Sequence, residues 1–176
     1  MTAESDIAAI DDSGANTAGE VRTALTSVLA RGADIHVAAR IYRSSDQSLS
    51  SSVDDKIDFN AEQFDTDGDI ANTASSRLDI QDTGYYLVNG FWPWTDTVPN
   101  DGWRVTIYVN GSEALMARNQ SSYPPIYGSG FVSGILPLSA SDYVELYAFT
   151  DGQSGVSARG GASAHTRAYL ELIRLA

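Results

Sequence analysis

At 176 residues, with 43% apolar residues and a net charge of -12, the chain has room for one well-cored domain plus an appendage, and is too negative to neutralise a nucleic-acid backbone. The absence of cysteine excludes disulfides and thiolate metal sites, and no apolar run approaches the ~20 residues that insert across a bilayer. Seventeen Asp stand against six Glu, and ten Arg against a single Lys, Lys56; short carboxylates hold water and cations while lysine stems expose apolar surface, so this balance suits a hypersaline medium, where charge repulsion is screened within a few ångströms.

Residues 1–33 read as a separate N-terminal anchoring segment and 34–176 as the head domain. Met1–Asn16 is too polar to fold alone and carries no basic patch followed by an apolar stretch, so no secretory signal is visible. Release by lysis, as in a virus particle, is one route outward that needs none. Thr17-Ala-Gly-Glu20 matches a helix capping box, and Val21, Leu25, Val28 and Leu29 follow on one helical face. Arg31 and Gly32 suit its C-terminal end. A helix this short is marginal by itself, so its face packs either on its own domain or on a partner.

From Ile35 the period changes to two. Ile35–Tyr42 reads as a strand, Ser44–Ser52 as a loop, and Lys56–Phe59 and Ser76–Ile80 as short strands. Gly84–Trp92 is aromatic enough for a central strand buried on both sides, and Pro93 should end it, because proline cannot donate to a ladder. Trp103–Val109, Asn110-Gly111 and Ala114–Ala117 form the clearest hairpin, since both turn residues tolerate positive φ. Gly130–Leu138, Tyr143–Phe149 and Ala168–Leu175 complete the set, with Asp151–Ala164 a Gly- and Ser-rich flexible loop. The expectation is an all-β antiparallel sandwich or barrel; the lack of helical patterning here excludes a parallel α/β enzyme fold.

Catalytic patterns are missing: there is no nucleophile elbow, phosphate loop or HExxH helix, and His36 and His165 have no ligand-spaced companions. Asp65, Asp67 and Asp69 alternate around Gly68 as in the first half of a calcium loop, but Ser76 stands where the bidentate Glu would be; an Asp- and Gly-rich turn is the competing reading. Trp92, Trp94, Tyr123 and Tyr127 concentrate aromatic surface at strand ends and loops, either as core or subunit packing or as a platform for stacking a glycan.

Phe59 with Phe64-Asp65-Thr66, Gly84-Tyr85-Tyr86-Leu87-Val88, Ser133–Leu138 followed by Asp142–Leu146, and the closing Tyr169-Leu170-Glu171-Leu172 occur in an order and spacing that resembles the complement-head and tumour necrosis factor superfamily. The resemblance covers roughly residues 35–175. It implies a ten-strand jelly roll assembled as a homotrimer around a hydrophobic axis, in a class that binds rather than catalyses. No collagen repeat precedes the domain, unlike the complement branch. Gly14–Leu25 resembles adaptor segments of tailed-virus structural proteins. The expectation is a virion surface protein, a capsid decoration or turret of a salt-loving host's virus, docked to another virion protein by its N-terminal segment. The alternatives are a tail-tip head that binds a host receptor or surface glycan, and a cellular cytokine-like domain.

Overall fold

The computed structural model describes residues 37–94, 102–119, 128–151, 156–163 and 166–175. The described strands are β1 (Ala38–Tyr42), β2 (Gln47–Ser48), β3 (Asp55–Lys56), β4 (Ala61–Asp65), β5 (Ala71–Asn72), β6 (Arg77–Asp79), β7 (Gly84–Pro93), β8 (Trp103–Val109), β9 (Ser112–Asn119), β10 (Ser129–Leu138), β11 (Tyr143–Thr150), β12 (Ser157–Ala158) and β13 (Tyr169–Arg174). No helix occurs among the described residues. The N-terminal segment, with Val21, Leu25, Val28 and Leu29, lies outside them.

Two antiparallel sheets face each other. The first has the order β10-β7-β13-β1-β4 and the second β5-β6-β11-β8-β9, with β3 pairing β11 beyond β6; β12 and β2 form a small extra ribbon. Period-two alternation aims Ile41, Tyr86, Val88, Trp92, Leu170 and Leu172 of the first sheet at Ile107 and Leu146 of the second, all essentially fully buried. Glycines let the layers close up: a methyl on Gly134 would sit 2.6 Å from Leu115 Cδ1, and one on Gly130 2.9 Å from Trp103 Cζ3.

The Asn110-Gly111 hairpin forms as the sequence requires, with φ of 51° and 75°. Asn110 also ties this turn to the next hairpin, donating from Nδ2 to Asp142 Oδ1 (2.6 Å) and accepting from the Tyr143 amide (3.0 Å). The β7 strand ends at Pro93, as its missing amide demands.

Three expectations change. Lys56–Phe59 is not a continuous strand: beyond Lys56 the chain turns inward, Ile57 bonding the Leu146 carbonyl at 2.9 Å while Ile57 and Phe59 enter the core. The 151–164 loop is pinned where it is described: Val156 and Ala158 are fully buried, β12 pairs β2, and Ala158 bridges Trp94. Finally, β7 is central in its sheet but buried on one side only, for Tyr85 faces outward at 57% exposure.

Candidate interaction face

The outward positions of the first sheet line up in rows. Phe131, Phe91, Tyr169 and Tyr42 stand in register across β10, β7, β13 and β1. Ser133, Asn89, Glu171 and Arg40 form the next row, and Ile135, Leu87, Ile173 and Ala38 the third. Pro137, Tyr85 and Leu175 continue the apolar surface beyond it, Leu175 bonding the Tyr85 carbonyl at 2.7 Å. Ile135 is 59% exposed, Phe131 50%, Leu175 45% and Ile173 38%. Large apolar side chains this exposed, grouped on one sheet face, mark a surface suited to association.

Between the apolar rows runs a hydrogen-bonded polar belt. Ser133 Oγ and Asn89 Oδ1 are 2.6 Å apart, and Asn89 Nδ2 donates to Glu171 Oε1 at 2.8 Å. Arg40 closes the belt, its Nε 2.6 Å from Glu171 Oε2 and its guanidinium 4.7 Å over the Tyr169 ring. Ser133, Asn89, Glu171 and the Arg40 Nε are thus partnered within the chain, which would let the face be covered without stranding them. Burial raises the Tyr169 pKa; Glu171 adds to the rise and Arg40 opposes it.

The outward side of the second sheet is built differently. Arg104 pairs with Asp54 and lies 3.9 Å over the Phe149 ring, while Arg77 covers Tyr143 at 4.4 Å. Lys56 pairs with Glu145, and Tyr108 stacks on Tyr147 with centroids 4.2 Å apart. Met116 of β9, at 49% exposure, is open as well, but the larger group of exposed apolar side chains belongs to the first sheet.

The structure separates the other candidate residues. Trp92 and Trp94 are 0% and 3% exposed and pack with Trp103, at centroid distances of 5.0 Å to each other and 6.3 and 5.4 Å to Trp103. They belong to the core, which is the packing reading and not the ligand-facing alternative. Two residues apart, Trp92 and Trp94 share the inward face of an extended segment, and the Trp94 amide bonds the Gly128 carbonyl at 3.3 Å. Tyr123 and Tyr127 lie outside the described residues. Asp65 is the hub of its turn, with Oδ1 accepting from the amides of Asp67 (3.2 Å) and Gly68 (2.9 Å) and Oδ2 from Ile70 (2.8 Å) and Ala71 (2.7 Å). Those four donors give the carboxylate a turn-closing role. Asp67 and Asp69 join no cluster of three or more metal-ligating side chains among the described residues. Phe131, Ile135, Tyr85 and Ile173 were not singled out by sequence reasoning. The signal was Asn89, the one polar side chain in Tyr85–Trp92, which marks the outward register of β7.

No family model matches the chain, and no curated protein matches its sequence. Solved structures do match in shape. An Eiger tumour necrosis factor from S. frugiperda superposes with a TM-score of 0.62 at 13% identity, covering 80% of this chain and 93% of that one. Murine APRIL at pH 8.0 gives 0.59 at 15% identity, covering 80% and 99%, and its pH 5.0 structure gives 0.59 at 14% with the same coverage. The fold is a tumour necrosis factor-like jelly roll.

Proposed function

We propose that the chain is a non-enzymatic assembly protein that forms a homotrimer through the outward face of its first sheet. The observation that carries this reading is the open apolar face of Phe131, Ile135, Tyr85, Ile173 and Leu175 beside an already satisfied polar belt. Covering each half-exposed side chain is worth on the order of 1 kcal/mol, so several together bear on assembly. The family resemblance in sequence and fold supports three-fold closure.

The finer reading is a virion surface protein, a capsid decoration or turret in hypersaline medium, held to another virion protein by residues 1–33. The Asp-over-Glu and Arg-over-Lys balance and the net charge of -12 support it. Calcium at Asp65, Asp67 and Asp69 would have to be held chiefly by Asp67 and Asp69, since the Asp65 carboxylate already closes its own turn. A receptor- or glycan-binding tip is less well supported, since two of its four aromatics, Trp92 and Trp94, are core.

Sedimentation equilibrium in molar sodium chloride tests the assembly. Three times 18.8 kDa, or 56.4 kDa, is expected for the native chain. The double substitution Phe131→Asp, Ile135→Asp should give a folded monomer, because each places a charge where an apolar contact is needed. A native chain that sediments as a monomer overturns the proposal.

A further inference from the structure

Arg167, just before β13, is only 5% exposed, yet no carboxylate pairs with it among the described residues. Arg40, Lys56, Arg77, Arg104 and Arg174 each have an acidic partner. A buried cation is normally compensated by an opposite charge. The Arg167 guanidinium lies 3.2 Å from the Tyr42 ring centroid and donates to Gln63 Oε1 at 2.8 Å. Its remaining contacts, to the carbonyls of Gly161 and Ala162, are long at 3.5 and 3.4 Å.

Arg40 reaches the same Gln63 Oε1 at 3.4 Å. Two guanidinia, each laid over a tyrosine ring, therefore converge on one neutral amide oxygen carried by an exposed side chain of the edge strand β4. Glu171 neutralises Arg40 alone. The group of two arginines and one glutamate keeps one positive charge, in a chain whose net charge is -12.

We propose that Arg40 and Arg167 form a carboxylate-binding site at the β1–β4 edge, occupied in the free protein by Gln63 Oε1. An anionic oxygen makes shorter and stronger bonds to guanidinium than an amide oxygen does, so a carboxylate displaces Gln63. The planar forks suit the two oxygens of a carboxylate. Among the described residues one charge of this arginine pair has no acidic partner, which favours an anionic ligand. The carboxylate comes either from a free solute or from an Asp or Glu of a second copy of the chain; the site itself does not depend on trimer formation.

The test is a titration of the full chain with sodium acetate against sodium chloride at constant total sodium, read by the Nε–Hε resonances of Arg40 and Arg167 together with the sedimenting mass. A saturating shift with acetate but not with chloride, at unchanged mass, supports the site with a free solute as its source. A fall in mass on adding acetate, reproduced by Arg167→Gln, supports it with a second copy as the source. In the first case Gln63→Ala should tighten acetate binding and Arg167→Gln weaken it, each by about tenfold, the scale of one charge-assisted hydrogen bond. If Arg167→Gln does not fold, Arg167→Lys, which keeps the charge and loses the fork, should weaken binding by a similar factor. Equal responses to chloride and acetate, or no response in either resonances or mass, overturn the proposal.

Discussion

Two glycines show how one residue type meets two different demands. Gly90, in the middle of β7, has no side chain because Leu146 and Val132 occupy the space; a methyl there would run into Leu146 Cδ1 and lie 3.1 Å from Val132 Cγ1. With strands paired on both sides, β7 has little freedom to withdraw. Gly90→Ala should therefore destabilise the fold by about 1–3 kcal/mol, the usual cost of overpacking a core. Gly68, at φ +83°, has nothing within 4 Å of that position; Gly68→Ala should cost only the backbone penalty, about 1 kcal/mol. Urea midpoints of the two variants decide this, with the larger fall expected for Gly90→Ala; a smaller fall there than in Gly68→Ala would mean that the Leu146 side chain simply moves aside. The one lysine illustrates the same economy. Lys56 sends its ammonium to both Glu145 and the Ser75 carbonyl, 2.7 Å away, a task for a compact charge with several donors rather than a flat fork.

At the scale of strands, the sequence revealed what side chains determine and missed what main chains determine. The Asn110-Gly111 hairpin and strands β7, β8, β10, β11 and β13 carry alternation or turn chemistry that names them. The two-residue strands β2 and β12 pair with each other from distant parts of the chain, and β5, though it pairs locally with β6, is too short to show an alternation, so no local pattern announces them. Which side of β7 meets the core was marked by Asn89 alone, since Tyr85, Leu87 and Phe91 are as apolar as Tyr86, Val88 and Trp92. The second sheet's outward layer leads to a pH prediction. Burial, then Asp54 and Glu113, push the Tyr108 pKa up to about 12, and burial likewise raises Tyr147. A tyrosine whose folded pKa stands above its unfolded value of about 10 holds its proton more tightly when folded. Its stabilisation is complete below pH ~10 and is lost as pH climbs towards ~12. Urea midpoints should fall over that window, less steeply in Tyr108→Phe; a native midpoint that holds level to pH 12 would contradict the assignment.

For the whole molecule, charge and assembly pull against each other. The proposed trimer would carry 3 × -12 = -36, which low ionic strength leaves largely unscreened. Salt also weakens the individual ion pairs, but partly exposed pairs contribute only about 0–1 kcal/mol each, so relief of the net repulsion should dominate. The melting temperature should rise between about 0.1 M and molar sodium chloride, as the Debye length shortens from ~10 to ~3 Å. A flat or falling melting curve would remove the support for a hypersaline setting. The jelly roll was legible in the order of its landmarks. The interaction face was not, because strands from both halves of the domain build it, and only their register brings Phe131, Phe91 and Tyr169 into one row.

The pairing of the outermost residues of the described domain has a mechanical consequence. The Arg174 amide bonds the Val37 carbonyl at 2.9 Å, so the chain enters and leaves the sandwich side by side. The opposite pole carries the paired ends Pro93 and Ser129, and Trp103 and Thr150. A tension drawn between Val37 and Leu175 would peel β1 from β13 one bond at a time. The same tension drawn between Val37 and the far pole would run along β1, loading its ladders to β13 and β4 together. A head tethered through its N-terminal segment and gripped at the far pole would thus be pulled along its resistant axis.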